Sequence, residues 1–167
     1  MKKLLLLIGI IGLLSNVSLS QNKKAEKEAA AKAQFDKAVS AIEAKDFVII
    51  VDTYEGADRT IQTNTDVTNF LSSEKESVFL QGITAGNQYT NKLVVSEYKQ
   101  ETDKKGNVSI VMQVKGFYII AKIEIFMKKG GNYADIVINA TKGRSIRFSG
   151  EVIPKSESKY FKRPGEV

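Results

Sequence analysis

Asp52, Glu55 and Asp58 in "DTYEGAD" form the densest acidic group of the 167-residue chain, and Asn64 and Asp66 follow closely. Clustered oxygen ligands of this kind suit a hard cation such as calcium. Their spacing is not that of an EF-hand loop, whose acids and glycine hold fixed positions. The run reads better as a polar turn between strands. Glu97, Glu124 and Glu151 fall on different predicted strands and are expected to face solvent rather than converge as an acid–base pair. The chain has no Cys, His or Trp. That excludes Cys/His zinc sites, thiol nucleophiles and any Ser-His-Asp triad, and with no disulfide the fold must be held by packing. "KKGGN" and "DKKGN" resemble phosphate loops only in their glycines, since no helix follows either. No catalytic residue, metal site or cofactor is expected.

Two sets of residues are candidates for binding. Lys104 and Lys105 lie in one predicted hairpin tip and Lys128 and Lys129 in another. Alternate turns of a meander share one end of the sheet, so these ammonium groups could bind anionic polysaccharide, lipid headgroups or an acidic partner. Turn lysines also serve solubility and discourage edge pairing. The second set is Tyr118 and Ile120, apolar residues on the outer face of a predicted strand whose later outer positions, Lys122 and Glu124, are charged. Something must cover them. The candidates are another part of this chain, with a helix stripe at Phe35–Ile42 the simplest cover, or a ligand in a groove that they line.

The elements that would position these residues follow from periodicity. "NKKAEKEAAAKAQFDKAVSAIEAKD" predicts a helix, from its helix-forming composition and the Glu28–Lys32 spacing. Phe35, Ala38, Val39 and Ile42 form its docking stripe. From Asp46 onward the period becomes two. "FVIIVDTY" predicts a strand buried on both faces, and a weak strand is expected near Thr60–Thr63. Further strands are expected at 77–82, 92–101, 107–114, 117–127, 132–140 and 145–153. A two-residue turn at Lys115-Gly116 would pair Val114 with Phe117, and the four-residue connection Lys128–Gly131 would pair Met127 with Asn132. One inner face then carries Val108, Ile110, Met112 and Val114, then Phe117 to Ile125 at alternate positions, then Ala134 to Ala140, and Ile146, Phe148 and Val152. In 92–101 two parities compete, Val94/Tyr98 and Leu93/Val95. The tail "PKSESKYFKRPGEV" is basic, with a helical turn expected at Ser156–Phe161 and Tyr160 and Phe161 packed back on the domain.

The start, "MKKLLLLIGIIGLLSNVSLSQNKK", has a positive n-region at Lys2 and Lys3, an apolar run Leu4–Leu14, and the small-x-small pair Ser18 and Ser20. It predicts a signal peptide cleaved before Gln21, since a membrane span needs about 20 apolar residues. No Cys is present to carry a lipid anchor. The net charge of +6 includes Lys2 and Lys3. The remainder is too scattered to argue for nucleic acid, and no aromatic platform interleaves the lysines.

The stretches "FVIIVDTYEG", "NFLSSEKESVFLQG", "VSEYKQETDKKGNVSIVMQVKG" and "ADIVINATKGRSIRFSGEV" resemble the DUF4251 family of secreted Bacteroidetes proteins of unknown function. The resemblance implies an exported, mainly β protein and assigns no functional residues.

The expected organisation is a signal peptide at 1–20, a helix at 21–45, a β domain at 46–154 and a basic tail at 155–167. The expected fold is α+β and mainly β, the helix packed on a curved antiparallel meander of about seven strands, as an open barrel or a sandwich. The expected function is that of an exported, non-catalytic protein, periplasmic or secreted, binding a ligand or partner of the cell envelope. No membrane span is expected after cleavage. The alternatives are a carboxylate-based hydrolase and a passive envelope component.

Overall fold

The structure, a computed structural model, describes the backbone of residues 2–167 and the side chains of 23–167. The expected signal peptide at 1–20 lies outside the residues described with side chains. Helix α1 spans Lys2–Glu43. Ten strands follow: β1 Asp46–Ile50, β2 Thr53–Glu55, β3 Ile61–Thr63, β4 Phe70–Glu74, β5 Ser77–Gly82, β6 Asn87–Thr102, β7 Val108–Lys115, β8 Ile120–Met127, β9 Tyr133–Ala140 and β10 Ile146–Pro154. Every pairing between these strands is antiparallel, in the order β1-β4-β5-β6-β7-β8-β9-β10, and β10 returns to pair with β1. Eight strands therefore close a barrel, and β2 and β3 extend it as a hairpin on β10. About seven strands were expected. Those missed include β4, where Ser72 and Ser73 interrupt the apolar signal although all four residues Phe70–Ser73 are buried.

The common apolar face expected from Val108 to Val152 is the barrel interior. Val108, Ile110, Met112 and Val114 of β7 stand opposite Met127, Ile125, Ile123 and Ala121 of β8, and all eight are buried. Ala134, Ile136 and Ile138 of β9 continue the layers, with Phe148 and Val152 of β10. The turns differ from expectation while the faces hold. Lys115 pairs with Ile120, so the loop is Gly116–Ile119, closed by Gly116 N–H donating to the Ile119 carbonyl at 2.8 Å. A tight two-residue turn at Lys115-Gly116 would put φ > 0 on Lys115, a conformation disfavoured for any residue with a Cβ. Phe117 is accordingly a loop residue, 81% exposed, and not an inward partner of Val114. Between β8 and β9 Met127 pairs with Ala134 rather than Asn132, a shift of two that leaves every facing unchanged.

The competing parities of β6 are both used. Leu93 and Val95 point inward, a bulge between Val95 and Glu97 absorbs Ser96, and Tyr98 points inward beyond it. The strand is 16 residues long and also takes in Asn87–Asn91, which polar composition marks as loop.

The helix stripe does not lie on Tyr118 and Ile120. Ala38, Ala41 and Ile42 are buried in the barrel's own core, with Phe35 and Val39 packed beside them. Tyr98 Oη donates to the Ile42 carbonyl at 3.3 Å, and Lys45 Nζ lies 4.5 Å from the Tyr98 ring centroid. Lys45, at φ 52°, ends the helix and starts the turn into β1. Because the helix enters where β1 starts and β10 ends, it plugs that end of the barrel. Full burial of a side chain such as Ile42 contributes about 1.5–3 kcal/mol.

The second apolar face of β1 is covered from outside. Val48, Phe70 and Phe79 form a separate buried cluster, closed by Tyr160 of the tail, whose ring meets Phe70 edge-on with centroids 4.8 Å apart. The tail holds a 3₁₀ turn at Lys155–Glu157 rather than a helical turn at Ser156–Phe161. Tyr160 packs back as expected, whereas the Phe161 ring is exposed. Phe161 contributes its backbone carbonyl instead, accepting from Gln81 Nε2 at 2.9 Å. Among the described residues no helix is long and apolar enough to cross a membrane.

Candidate functional site

The two ends of the barrel are unlike. At the end opposite the helix plug three loops rise: Ile83–Gly86 after β5, Gly116–Ile119 after β7, and Thr141–Ser145 after β9. Together with Tyr54 and Glu55 of β2 they surround a cavity of about 740 Å³. The space exists because of residue size. In the middle layers Met112, Ile123 and Ile136 fill the interior. In the last layer β8 and β9 present the cross-strand pair Ala121 and Ala140. Ala140, Ile138, Ile146 and Ile119 make the floor and wall of the cavity. The volume lies within the range of small-molecule pockets, and a barrel mouth is one of their usual places.

The rim is aromatic. Tyr118 is 63% exposed, Ile120 51%, and the Phe117 ring meets Tyr118 edge-on at 4.7 Å. Tyr89 stacks on the other side of Tyr118 at 6.4 Å. The helix stripe does not cover Tyr118 and Ile120, and both lie on the lining of the cavity.

Most neutral polar side chains of the wall are engaged within the protein, and the Tyr118 hydroxyl, on the exposed rim, is the exception. Tyr54 Oη donates to Gln62 Oε1 at 2.6 Å, Thr84 Oγ1 to the Phe70 carbonyl at 2.7 Å, and Thr141 Oγ1 to the Ile120 carbonyl at 3.1 Å. Asn87 exchanges side-chain hydrogen bonds with Asn91. Glu55, the one acid in the lining, lies 3.8 Å from Arg147. Lys142 and Arg144, on either side of Gly143 at φ 103°, also line the cavity. Both are exposed, and among the described residues neither forms an ion pair. Sequence reasoning missed them because "TKGRS" reads first as a turn. Two cations bracketing a glycine beside an inward alanine was the available signal.

The four turn lysines sit at the other end. Lys129 N–H donates to Asn107 Oδ1 at 3.1 Å, so the turn carrying Lys104 and Lys105 does adjoin the one carrying Lys128 and Lys129. This is the plugged end, so the lysines and the Tyr118–Ile120 pair are not parts of one site.

The acids are used singly. Asp58 accepts from Thr60 Oγ1 at 2.8 Å and from its N–H at 3.1 Å, and these bonds hold its carboxyl below the ordinary value. Asp66 is lowered in the same way by the Thr68 N–H, at 2.8 Å. Asp52 accepts from Tyr133 Oη at 2.8 Å, and Asn64 Nδ2 donates to the Val51 carbonyl at 2.6 Å. Within "DTYEGAD", then, Asp58 caps a turn, Asp52 meets Tyr133 and Glu55 faces Arg147. Glu124 is engaged by Lys122 at 2.8 Å and by Asn139 Nδ2 at 3.0 Å, while Glu97 and Glu151 are exposed. Among the described residues no three His, Cys, Asp or Glu side chains converge as a metal site would require.

The family model described as "Domain of unknown function (DUF4251)" matches residues 29–152. The chain is also similar to a solved structure, a DUF4251 family protein from Bacteroides eggerthii DSM 20697. The two are 26% identical, the match covers 78% of this chain and 94% of that one, and the TM-score is 0.69. No curated protein matches the sequence significantly.

Proposed function

We infer the function of this chain, which belongs to the DUF4251 family, from the open mouth of its barrel. It is a non-catalytic binding protein that takes a small, largely apolar ligand between the loops after β5, β7 and β9. The observation that carries this reading is the asymmetry of the two ends. One is sealed by Ala38, Ala41 and Ile42, while the other is hollow beside Ala140 and ringed with exposed aromatic side chains. Exposed apolar side chains lose free energy to water, and gathering them round a concavity is what a binding site requires. Export to the cell envelope is part of the proposal and rests on the residue pattern of 1–20.

The test is native mass spectrometry of the protein purified from the periplasm of its own host. A retained small molecule is expected, and it should be absent from an Ala140→Phe variant that fills the cavity. Protein that carries nothing and shows no apolar ligand in the cavity on addition would sink the reading.

A further inference from the structure

We propose that the ligand is an amphiphile with a hydrocarbon chain and an anionic head. Its chain lies against Ile138, Ala140 and Ile146, and its head is held by Lys142 and Arg144. The proposal rests on the reading of the mouth as a ligand site and deepens it. The hydroxyls of Tyr54, Thr84 and Thr141 donate to protein acceptors, and the Asn87 amide is paired with Asn91. The Glu55 carboxylate faces Arg147. Those donors are spent on the protein, which leaves the Tyr118 hydroxyl, on the exposed rim, as a neutral side-chain donor without a partner among the described residues. The charged side chains at the cavity without an ion-pair partner are both cationic, and they come from one short loop.

An apolar floor with two cations at its lip matches a molecule whose polarity is concentrated at one end. Arginine can engage a carboxylate or phosphate through two parallel hydrogen bonds, and lysine adds a point charge. The rim aromatics Phe117 and Tyr118 lie on the lining with Ile120, so the apolar surface continues from floor to lip. A carboxylate head and a phosphate head share this chemistry, and the experiment separates them.

The test uses the full chain and a neutral apolar fluorophore, N-phenyl-1-naphthylamine, displaced in turn by dodecanoate, dodecyl phosphate and dodecanol. At least one anionic competitor should displace the probe at about tenfold lower concentration than dodecanol, the size of one good charge-assisted contact. The stronger of the two identifies the head. The Lys142→Glu/Arg144→Glu double variant, altered only at exposed loop positions, should abolish that preference and leave displacement by dodecanol unchanged. Ala140→Phe should weaken probe binding and every competitor alike. Equal displacement by dodecanol, or a preference that survives the charge reversal, overturns the head assignment and leaves the mouth as an apolar site. Probe binding undiminished in Ala140→Phe, or no binding at all, removes both.

Discussion

Gly150 stands where the barrel parts company with its extra hairpin. Ile49 pairs with Val152 and Thr53 with Ser149, so Ile50–Asp52 on one strand face only Gly150 and Glu151 on the other. This bulge bends the chain between β1 and β2 and brings the Ile50 carbonyl over Gly150, 2.1 Å from where a Cβ would sit. Backbone on that side cannot yield as a flexible side chain would. Gly150→Ala should therefore lower stability by about 1–3 kcal/mol as overpacking, read as a reduced denaturant midpoint at unchanged slope. Glu74 is a second single residue with wide reach. Burial works against its ionised form, yet Lys155 at 2.7 Å and Lys162 at 2.9 Å hold its carboxyl below the ordinary value. Its folded pKa is depressed, so its contribution is present above the unfolded value of about 4.3 and is lost as pH falls through the lower folded one. Acid unfolding followed by circular dichroism should show this loss. Glu74→Gln should be less stable at neutral pH by about 1 kcal/mol, the screened end for charged hydrogen bonds, and should lose part of the acid dependence. An unchanged acid profile in that variant would show that the tail is held by Tyr160 and Gln81 without this ion cluster.

Helix α1 is the element whose packing decides the character of the molecule. On its exposed part it shows i,i+4 pairs such as Lys32–Asp36 at 2.6 Å and a pair of Lys37 with Glu157 of the tail at 2.9 Å, solvent-exposed contacts that contribute little. Its hold on the barrel is the stripe ending in Ile42, which is completely buried. Ile42→Ala should destabilise by about 2–5 kcal/mol, measured by equilibrium denaturation. A loss below about 1 kcal/mol would mean that the barrel closes without its plug. The stripe itself was legible in the sequence, because 3.6-residue spacing of Phe35, Ala38, Val39 and Ile42 is a local property. Its destination was not, since the same apolar face could dry either side of a sheet. The inner face of β7 to β10 was legible for a related reason. Alternation fixes side-chain facing, and each misplaced turn shifted the pairing by an even number of residues. Facing survived and Phe117 alone changed sides, from core to loop. β4 was illegible because its two buried serines break the apolar signal and find partners that the pattern does not show, Ser73 Oγ the distant Lys45 carbonyl at 3.4 Å and Ser72 Oγ the neighbouring Glu74 Oε1 at 3.1 Å. The mouth was half legible: Tyr118 and Ile120 announce an uncovered apolar face, while Lys142 and Arg144 join them only once β9 and β10 are brought beside β8.

At the scale of the whole molecule the barrel separates stability from binding. Strands of about eight residues rise about 3.3 Å per residue, so plug and mouth are roughly 25 Å apart along the strands. Between them lie the filled layers around Met112, Ile123 and Ile136, all buried. A close-packed interior can transmit strain, but a substitution that opens space at one end need not move side chains at the other. Substitutions farther apart than about 7–10 Å with no shared partner add within about 0.5 kcal/mol. The stability change of the Ile42→Ala/Ala140→Phe double variant should therefore equal the sum of the single changes within that margin. Ile42→Ala alone should bind N-phenyl-1-naphthylamine as the parent does under conditions where both are folded. A coupling energy above about 1 kcal/mol, or probe affinity that falls with the plug substitution, would instead make the interior one continuous unit. The hollow at the top would then be a consequence of how the helix seats below, and the mouth could not be treated as a site in its own right.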